Sequence, residues 1–399
     1  MESAGKRKKH ILIIVENAPV PLDFRVWREA KALLNKNYDV TVICPKGITC
    51  NDTYEYKEGV HIYRHSVPRE EESIIGYLRE YLVALFCEWF LSFKLFIRKP
   101  FDVIHACNPP DNIFLIGIFY KLFGVKFIFD HHDIAPEQYL AKFGRKDFLY
   151  KILLILEKLT FRLADISIAT NNSYKEIAIQ RGGMNPDKVF IVRNGPELDK
   201  FKKVPAKKSL KYGKKFLVGY VGVMGKQDGI DLLLRVARYI VGKKGRKDIH
   251  FTCIGRGSAF NYLRKLSENM NLRSYVNFTG FIPDKEALEI LSTSDVCVNP
   301  DIPCEFNDKS TMIKIMEYMA LGKPIVQFNF KEGRFSAQGA SLYAKKGSIK
   351  DFSEKILTII DNENLRKKMG DFGFRRIRDK LDWKYSIQNL LKAYDAVFQ

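Results

Sequence analysis

Apolar runs of four or five residues recur through the first half of the chain, at residues 11–15, 40–44, 103–106, 126–130, 166–170 and 189–192. Short runs without polar alternation predict strands buried on both faces, as in a parallel sheet. Between them the apolar positions take a helical period, over residues 23–35 and 149–163 among others. Strand, helix and strand repeated in this way predict a doubly wound α/β sheet. The rhythm stops at Asn194-Gly195-Pro196, and residues 196–214 are polar, lysine-rich and aperiodic, which marks a linker. A second series follows, with strands expected at 216–221, 249–254, 276–279, 296–299 and 324–328. Its helices are expected at 230–241, 258–270, 285–291 and 312–321. Two facing Rossmann-like domains result, residues 1–195 and 215–381, with ligands expected beyond the carboxyl ends of the strands, in the cleft between the domains. The last segment, 382–399, spaces Trp383, Ile387, Leu390, Tyr394 and Val397 as a helix. It either caps the second domain or crosses back to the first, and the crossing is the reading taken here.

The length of 399 residues suits two domains, and 46% hydrophobic with 13% aromatic residues supplies two cores and excludes general disorder. Seven scattered cysteines include no CxxC pair and no zinc-like spacing, so reduced buried thiols in a cytoplasmic protein are expected. The basic start is followed by an apolar run too short for a secretory leader.

A net charge of +20 suits a nucleic acid, an anionic membrane or a phosphorylated substrate without choosing among them. It gathers in Lys6-Arg7-Lys8-Lys9, in residues 202–215, and from Lys243-Lys244 to Lys247. Residues 74–97 predict a very apolar, aromatic helix, which Arg79, Glu80, Glu88 and Lys94 disqualify as a membrane span. Two readings stay open: a buried core helix, or an interfacial helix that docks the first domain on an anionic bilayer beside Arg98-Lys99. With no zinc pattern, RNP-like strand or helix-turn-helix, a nucleic-acid partner is not expected.

The sharpest local signal runs from Asn307 to Pro324. Asp308 or Ser310, with Thr311 beside it, is expected to cap a helix whose N-terminal N–H groups form an anion site. Lys314 and Glu317, three apart, share a face of that helix. A cation for a diphosphate and a carboxylate for the two ribose hydroxyls suit a sugar nucleotide; the same spacing also fits a plain amphipathic helix. Gly222 and Gly225 after one strand, and Gly255 after another, allow close backbone approach to phosphate or base, or simply turn the chain.

The 307–324 stretch resembles the signature helix of glycosyltransferase family 4, retaining enzymes of GT-B fold that carry Glu-x7-Glu before an Ala-x-Gly-x-Pro turn. Glu317 matches the second glutamate, which implies a ribose contact. Lys309 stands at the first, a departure at the donor-sugar position where neighbouring Asp308 is the substitute. Lys314 matches a lysine that some relatives carry three residues before the second glutamate. Asp23-Phe24-Arg25-Val26-Trp27-Arg28-Glu29-Ala30 resembles the family's D-x-R-V-x-x-E-A helix opening. Asp130-His131-His132-Asp133 resembles its D-x-H-[DE] loop, with His132 as the match and His131 as the alternative. Val192-Arg193-Asn194-Gly195 resembles the turn before its second domain. Where the family has an Arg and a Lys to clamp the diphosphate, Gly222-Val223-Met224-Gly225-Lys226-Gln227-Asp228-Gly229 places Val223 and Asp228. Lys226, Lys314 and Arg25 are then the candidates for neutralising phosphate.

The resemblance implies retaining transfer of a hexose or N-acetylhexosamine from a UDP-sugar to a glycan or polyprenyl-diphosphate-linked acceptor. Catalytic roles fall on His132, Asp133 and Arg25. Donor binding falls on Gly222, Gly225, Lys226, Gly255, Asp308, Lys309, Ser310, Thr311, Lys314 and Glu317. No metal and no cofactor beyond the nucleotide-sugar co-substrate is expected. The protein is expected at the inner face of the cell membrane, held peripherally through residues 74–99 and the basic clusters. The competing readings are a GT-B sugar-nucleotide epimerase and a non-catalytic paralogue that binds nucleotide or membrane.

Overall fold

The structure, a computed structural model, describes residues 7–47, 49–68 and 74–399. Lys6 of the first basic cluster lies outside them. The chain divides into two compact units, Met1–Arg193 with Ser386–Gln399, and Asn194–Tyr385.

The first unit contains, in order, β1 (His10–Val15), α1 (Phe24–Leu34), β2 (Asp39–Pro45), β3 (Tyr54–Lys57), β4 (Val60–His65), α2 (Ile74–Arg98), β5 (Val103–Cys107) and α3 (Phe114–Lys121). It continues through β6 (Lys126–His131), α4 (Ala135–Phe143), α5 (Phe148–Leu163), β7 (Ile166–Ala169), α6 (Asn172–Gln180) and β8 (Val189–Ile191). The sheet order is β3-β4-β2-β1-β5-β6-β7-β8, parallel except that β3 runs antiparallel to β4. The β1 and β5 side chains are buried throughout, as strands covered on two faces require. The right-handed crossover rule places α2, α3 and α5 on one face of this sheet and α1 on the other.

The second unit contains β9 (Phe216–Val221), α7 (Ile230–Arg238), β10 (Ile249–Ile254), α8 (Phe260–Asn269), β11 (Val276–Gly280), α9 (Asp284–Thr293), β12 (Val296–Asn299) and α10 (Glu305–Lys309). Then come α11 (Ile313–Ala320), β13 (Ile325–Phe328), α12 (Lys331–Ala337), β14 (Ser341–Ala344), α13 (Ile349–Ile360) and α14 (Glu363–Arg376). Its sheet is parallel throughout, ordered β11-β10-β9-β12-β13-β14. One apolar cluster covers each face, around Tyr220 and Phe352 on one side and Met316 and Tyr318 on the other.

Two expectations change. The hairpin β3–β4 and the edge strand β14 escaped the apolar-run criterion, because β3 alternates exposed and half-buried residues and β14 is buried only at its ends. Residues 196–214 are no free linker but packed chain of the second unit. The N–H groups of Val204 and Lys207 donate to Ser292 and Thr293 at the end of α9, and Leu198, Phe201 and Leu210 lie on its core. The last helix, α15 (Trp383–Val397), begins in the second unit, and its residues from Ser386 onward belong to the first. There Tyr394 is fully buried, beside Tyr38 at a ring separation of 5.7 Å.

Candidate active site

In the first unit the chemistry gathers at the carboxyl ends of β5 and β6. Asp130 stands opposite Cys107 across those strands and is fully buried. A lone carboxylate there costs several kcal/mol, so the fold must supply partners. Asp23 caps α1 by accepting from the N–H groups of Arg25 and Val26, which fixes Arg25 at the first turn. The Arg25 guanidinium then donates to both Asp130 oxygens at 3.0 and 2.7 Å and to the Val192 carbonyl at 2.8 Å. His105 Nε2 lies 3.2 Å and His132 Nε2 2.6 Å from Asp130 Oδ2. Burial alone would lift the Asp130 pKa, but Arg25 and the two histidines outweigh it and hold the carboxyl well below its usual range. Glu29 beside it goes the other way: burial, with Asp130's charge, wins over Arg25 and holds it well above.

His132 is held through one nitrogen: its Nε2 lies against Asp130 Oδ2 and also meets the Arg25 Nε–H, 2.9 Å away. Burial lowers the His105 pKa and keeps that ring neutral, so its Nε2–H faces Asp130 and its Nδ1 accepts from Tyr394 Oη at 2.7 Å. Asn108 ties the loop down: its Oδ1 takes the N–H groups of His132 and Asp133 at 2.6 and 3.2 Å, and its Nδ2 donates to the Asp133 carbonyl and to Asp111.

The two histidines of the motif separate clearly. His131 is fully buried among Phe129, Phe161 and Tyr174, with Nε2 3.5 Å from Glu157. The His132 side chain keeps 13% exposure, so its ring alone of the pair is open to a ligand. Asp133 is half-buried, and burial raises its pKa. Arg25 is a correction: its donors are spent inside the protein, so it holds Asp130 rather than meeting a phosphate.

Two groups of potential ligand atoms lie within 4.8 Å of one another here, His105, Cys107 and Asp130, and Glu29, Asp130 and His132. Both depend on Asp130, where the Arg25 guanidinium already supplies the positive charge a metal ion would bring.

The second unit gathers its candidates at the carboxyl ends of β9, β10 and β12. Lys314 on α11 sits with its Nζ 3.2 Å from Asp301, 3.8 Å from Asp228 and 4.9 Å from the centre of the Tyr220 ring. Asp301 is 1% exposed and Lys314 11%, so the ammonium is held in a fixed, mostly dry place. Glu317, one turn further along α11, is half-exposed.

The glycines serve a purpose that spacing did not reveal. A Cβ on Gly255 would lie 2.0 Å from the Gly222 carbonyl oxygen, and one on Gly257 2.6 Å from the Met224 carbonyl oxygen. The two loops interlock backbone to backbone. The Gly222 N–H donates to Ile254 and the Gly225 N–H to Asp228, so neither is spare for a phosphate, against the expectation. Asp228, where the family has a lysine, is the capping group of this loop. Val223 and Lys226 are exposed.

The helix ahead of Lys314 also differs. Asp308 serves a different helix: it accepts from the Lys331 N–H at the start of α12 at 3.2 Å, and Ser310 closes the C-terminal end of α10. Residues Glu305–Lys309 form their own short turn, capped by Cys304, and α11 starts at Ile313 behind Met312 with no side-chain cap. Asp308 pairs with Lys346 at 2.7 Å, and Lys309 with Glu305 at 2.6 Å. Ser310 is buried and Thr311 half-buried between the two helices. Sequence reasoning missed His105, Asn108, Tyr220, Asp301 and Tyr394. Asp301 had one legible signal, its place just past a predicted strand.

Both halves match known families. The family described as "Glycosyltransferase Family 4" matches residues 24–200, and "Glycosyl transferases group 1" matches residues 202–376. The chain carries the two domains of a GT-B glycosyltransferase. It is similar to the capsular polysaccharide biosynthesis glycosyltransferase CapM of Staphylococcus aureus, 25% identical over 405 residues and 98% of each chain. It is also 26% identical, over 76% of this chain and 74% of that one, to the UDP-Gal:alpha-D-GlcNAc-diphosphoundecaprenol alpha-1,3-galactosyltransferase of Escherichia coli. Sucrose-phosphate synthase from Thermosynechococcus elongatus shares the GT-B fold of this glycosyltransferase, with a TM-score of 0.79 at 17% identity, over 98% of this chain and 99% of that one. So does Anabaena HepE in complex with UDP, with a TM-score of 0.72 at 14% identity over 97% and 100%.

Proposed function

We propose that this glycosyltransferase moves a hexose or N-acetylhexosamine from a UDP-sugar, with retention, onto a glycan or polyprenyl-diphosphate-linked acceptor in cell-surface polysaccharide synthesis. The observation that carries the reading is the succession of the two glycosyltransferase domains along one chain. UDP is favoured because one similar fold was solved with UDP and one relative is named for UDP-galactose. That relative's diphosphoundecaprenol acceptor supports a lipid-linked substrate at the inner face of the membrane, with residues 74–99 and the basic clusters as the contact.

In this mechanism the departing nucleoside diphosphate develops negative charge, which preorganised cations stabilise. Lys314 is such a cation, fixed by Asp301 and Asp228 one residue past the start of α11, and Lys226, two residues before Asp228, is a second. Glu317 takes the ribose hydroxyls. His132, its Nε2 engaged by Asp130 and Arg25, offers Nδ1 to orient the sugar. The acceptor hydroxyl attacks from the face the diphosphate leaves, and the leaving phosphate takes its proton. With the ammonium in the place of a metal ion, transfer proceeds in EDTA.

Lys309, paired with Glu305 where the family has a glutamate, favours one rival, a paralogue that binds nucleotide without turnover. A thermal-shift panel of UDP, GDP, dTDP and ADP, followed by a transfer assay, separates the two. A ligand at about 100 times its Kd stabilises by roughly 2.7 kcal/mol, enough to read. UDP is expected to shift the melt. Glu317→Ala removes that shift, whereas His132→Ala keeps it and loses turnover. No shift with any nucleotide overturns the proposal, and a shift without transfer from any sugar nucleotide supports the paralogue.

A further inference from the structure

Helix α2 buries polar groups on one side and exposes apolar ones on the other. Its inward side carries Glu88 and Ser92, both buried, with Glu88 facing His65 and Ser92 accepting from Tyr120. Its outward side carries Leu82, Phe86, Phe90 and Ile97, all more than half exposed. At about 100° per residue these four fall within an arc of roughly 80°, so they form one continuous apolar stripe facing solvent.

The stripe continues on the neighbouring helices. Phe119 of α3 packs on Trp89 and Phe93 of α2, and α3 in turn meets α5 where Gly117 lies against Leu163. On α3 and its C-terminal cap the exposed large apolar residues are Leu115, Ile118 and Leu122; on α5 they are Phe148, Ile155 and Leu159. Each set again lies on one helical face by its spacing. Contiguous apolar surface of this extent on a soluble domain marks a contact.

Charge says with what. Lys151, Lys158 and Arg162 run beside the apolar stripe of α5 and are exposed, as are Lys142, Arg145 and Lys146 ahead of it. Of the acidic residues on α2 and α5, Glu88 and Glu157 are buried and Glu80 is half-buried. At the edge of the face, Phe96 and Phe123 line a cavity of about 340 Å³ together with Arg7, Lys9 and Lys126, and Asp102 is its only acidic lining residue. Apolar stripes flanked by cations, with an aromatic at the boundary, fit an anionic bilayer. A second copy of the chain would instead bring the same lysines together.

We infer that the outward face shared by α2, α3 and α5 is a docking platform for an anionic lipid bilayer. The apolar stripes enter the headgroup region, and the basic flank of α5 meets the lipid phosphates. This deepens the proposed function, since a lipid-linked acceptor would be met on the surface where it resides. Among the described residues no helix is long and apolar enough to cross a membrane, so the attachment is peripheral.

The test is flotation of the full-length protein with vesicles of phosphatidylcholine alone or with phosphatidylglycerol, at low and high salt, beside its UDP thermal shift. The intact protein is expected to float with the anionic vesicles and to be released by salt. Phe86→Asp with Phe90→Asp, and separately Leu122→Asp with Phe148→Asp, are expected to cut binding at least tenfold. Lys151→Glu with Lys158→Glu and Arg162→Glu is expected to abolish the preference for anionic lipid. All three variants keep the melting temperature and UDP shift of the parent, which separates this inference from the assignment of the nucleotide site. Equal flotation of parent and Asp variants overturns the platform. Failure of the parent to float overturns it as well, and a dimer in light scattering that the Asp variants split would then show that the face holds a second copy.

Discussion

Asp130 keeps its negative charge without solvent because four nitrogens, two from Arg25 and one each from His105 and His132, converge on it. The outermost member of this chain is Tyr394, whose hydroxyl selects the His105 tautomer that faces Asp130 with a proton. Tyr394→Phe should therefore leave UDP affinity intact and lower kcat by up to about tenfold, the worth of one hydrogen bond. The His105 ring resonances should shift with it in NMR spectra; an unchanged kcat and unchanged resonances would remove Tyr394 from the site. A second buried group sets a pH dependence. Burial, and then the Glu157 charge, push the Asp111 pKa up to about 7, while His131, Asn108 and Arg181 pull it down. Its folded pKa lies above the unfolded 3.8, so the stability it contributes is complete below about pH 4 and is lost as pH rises through about 7. Asp111→Asn can keep the bond from Asn108 and should flatten that fall. Thermal melts at pH 5 and 8 check this, and a variant with the parent's slope refutes it.

At the scale of elements, the site of the second unit depends on two loops that interlock. Gly255, at φ 122°, sits against the Gly222 carbonyl, and Gly222, at φ 150°, lies below the Lys314 side chain. Gly255→Ala combines a strained backbone with a direct clash and should cost about 3 kcal/mol in denaturant melts. Nucleotide binding should fall with it, because the loop that fixes Asp228 must move. A loss of stability with unchanged UDP affinity would show that the loops serve the fold alone. The periodicity of residues 74–97 placed α2 well but could not say which face was inward. Apolar residues all round it left the choice to Glu88 and Ser92, whose partners His65 and Tyr120 come from distant parts of the chain.

At the scale of the whole molecule, α15 is shared in sequence but not in allegiance: its end belongs to the first unit. Leu390, Ala393 and Tyr394 are fully buried there and Val397 nearly so. Each large side chain lost from a core costs about 2–5 kcal/mol, and several together exceed the stability of a typical domain. A chain ending at Tyr385 should lose the melting transition of its first unit while the UDP-responsive transition of its second persists; retention of both transitions would contradict this. The sequence by itself determined the two doubly wound sheets, since buried parallel strands need short unbroken apolar runs and those runs stand out locally. It also located the His132 loop and the Lys314–Glu317 helix, because their residue types cluster within a few positions. Only the tertiary structure decided which histidine stays reachable, that Arg25 serves Asp130, that Asp228 caps a loop, and that Asp301 and Tyr394 join the sites. Those facts rest on pairs up to 289 residues apart, as between His105 and Tyr394, and no local pattern encodes which buried charge will meet which partner.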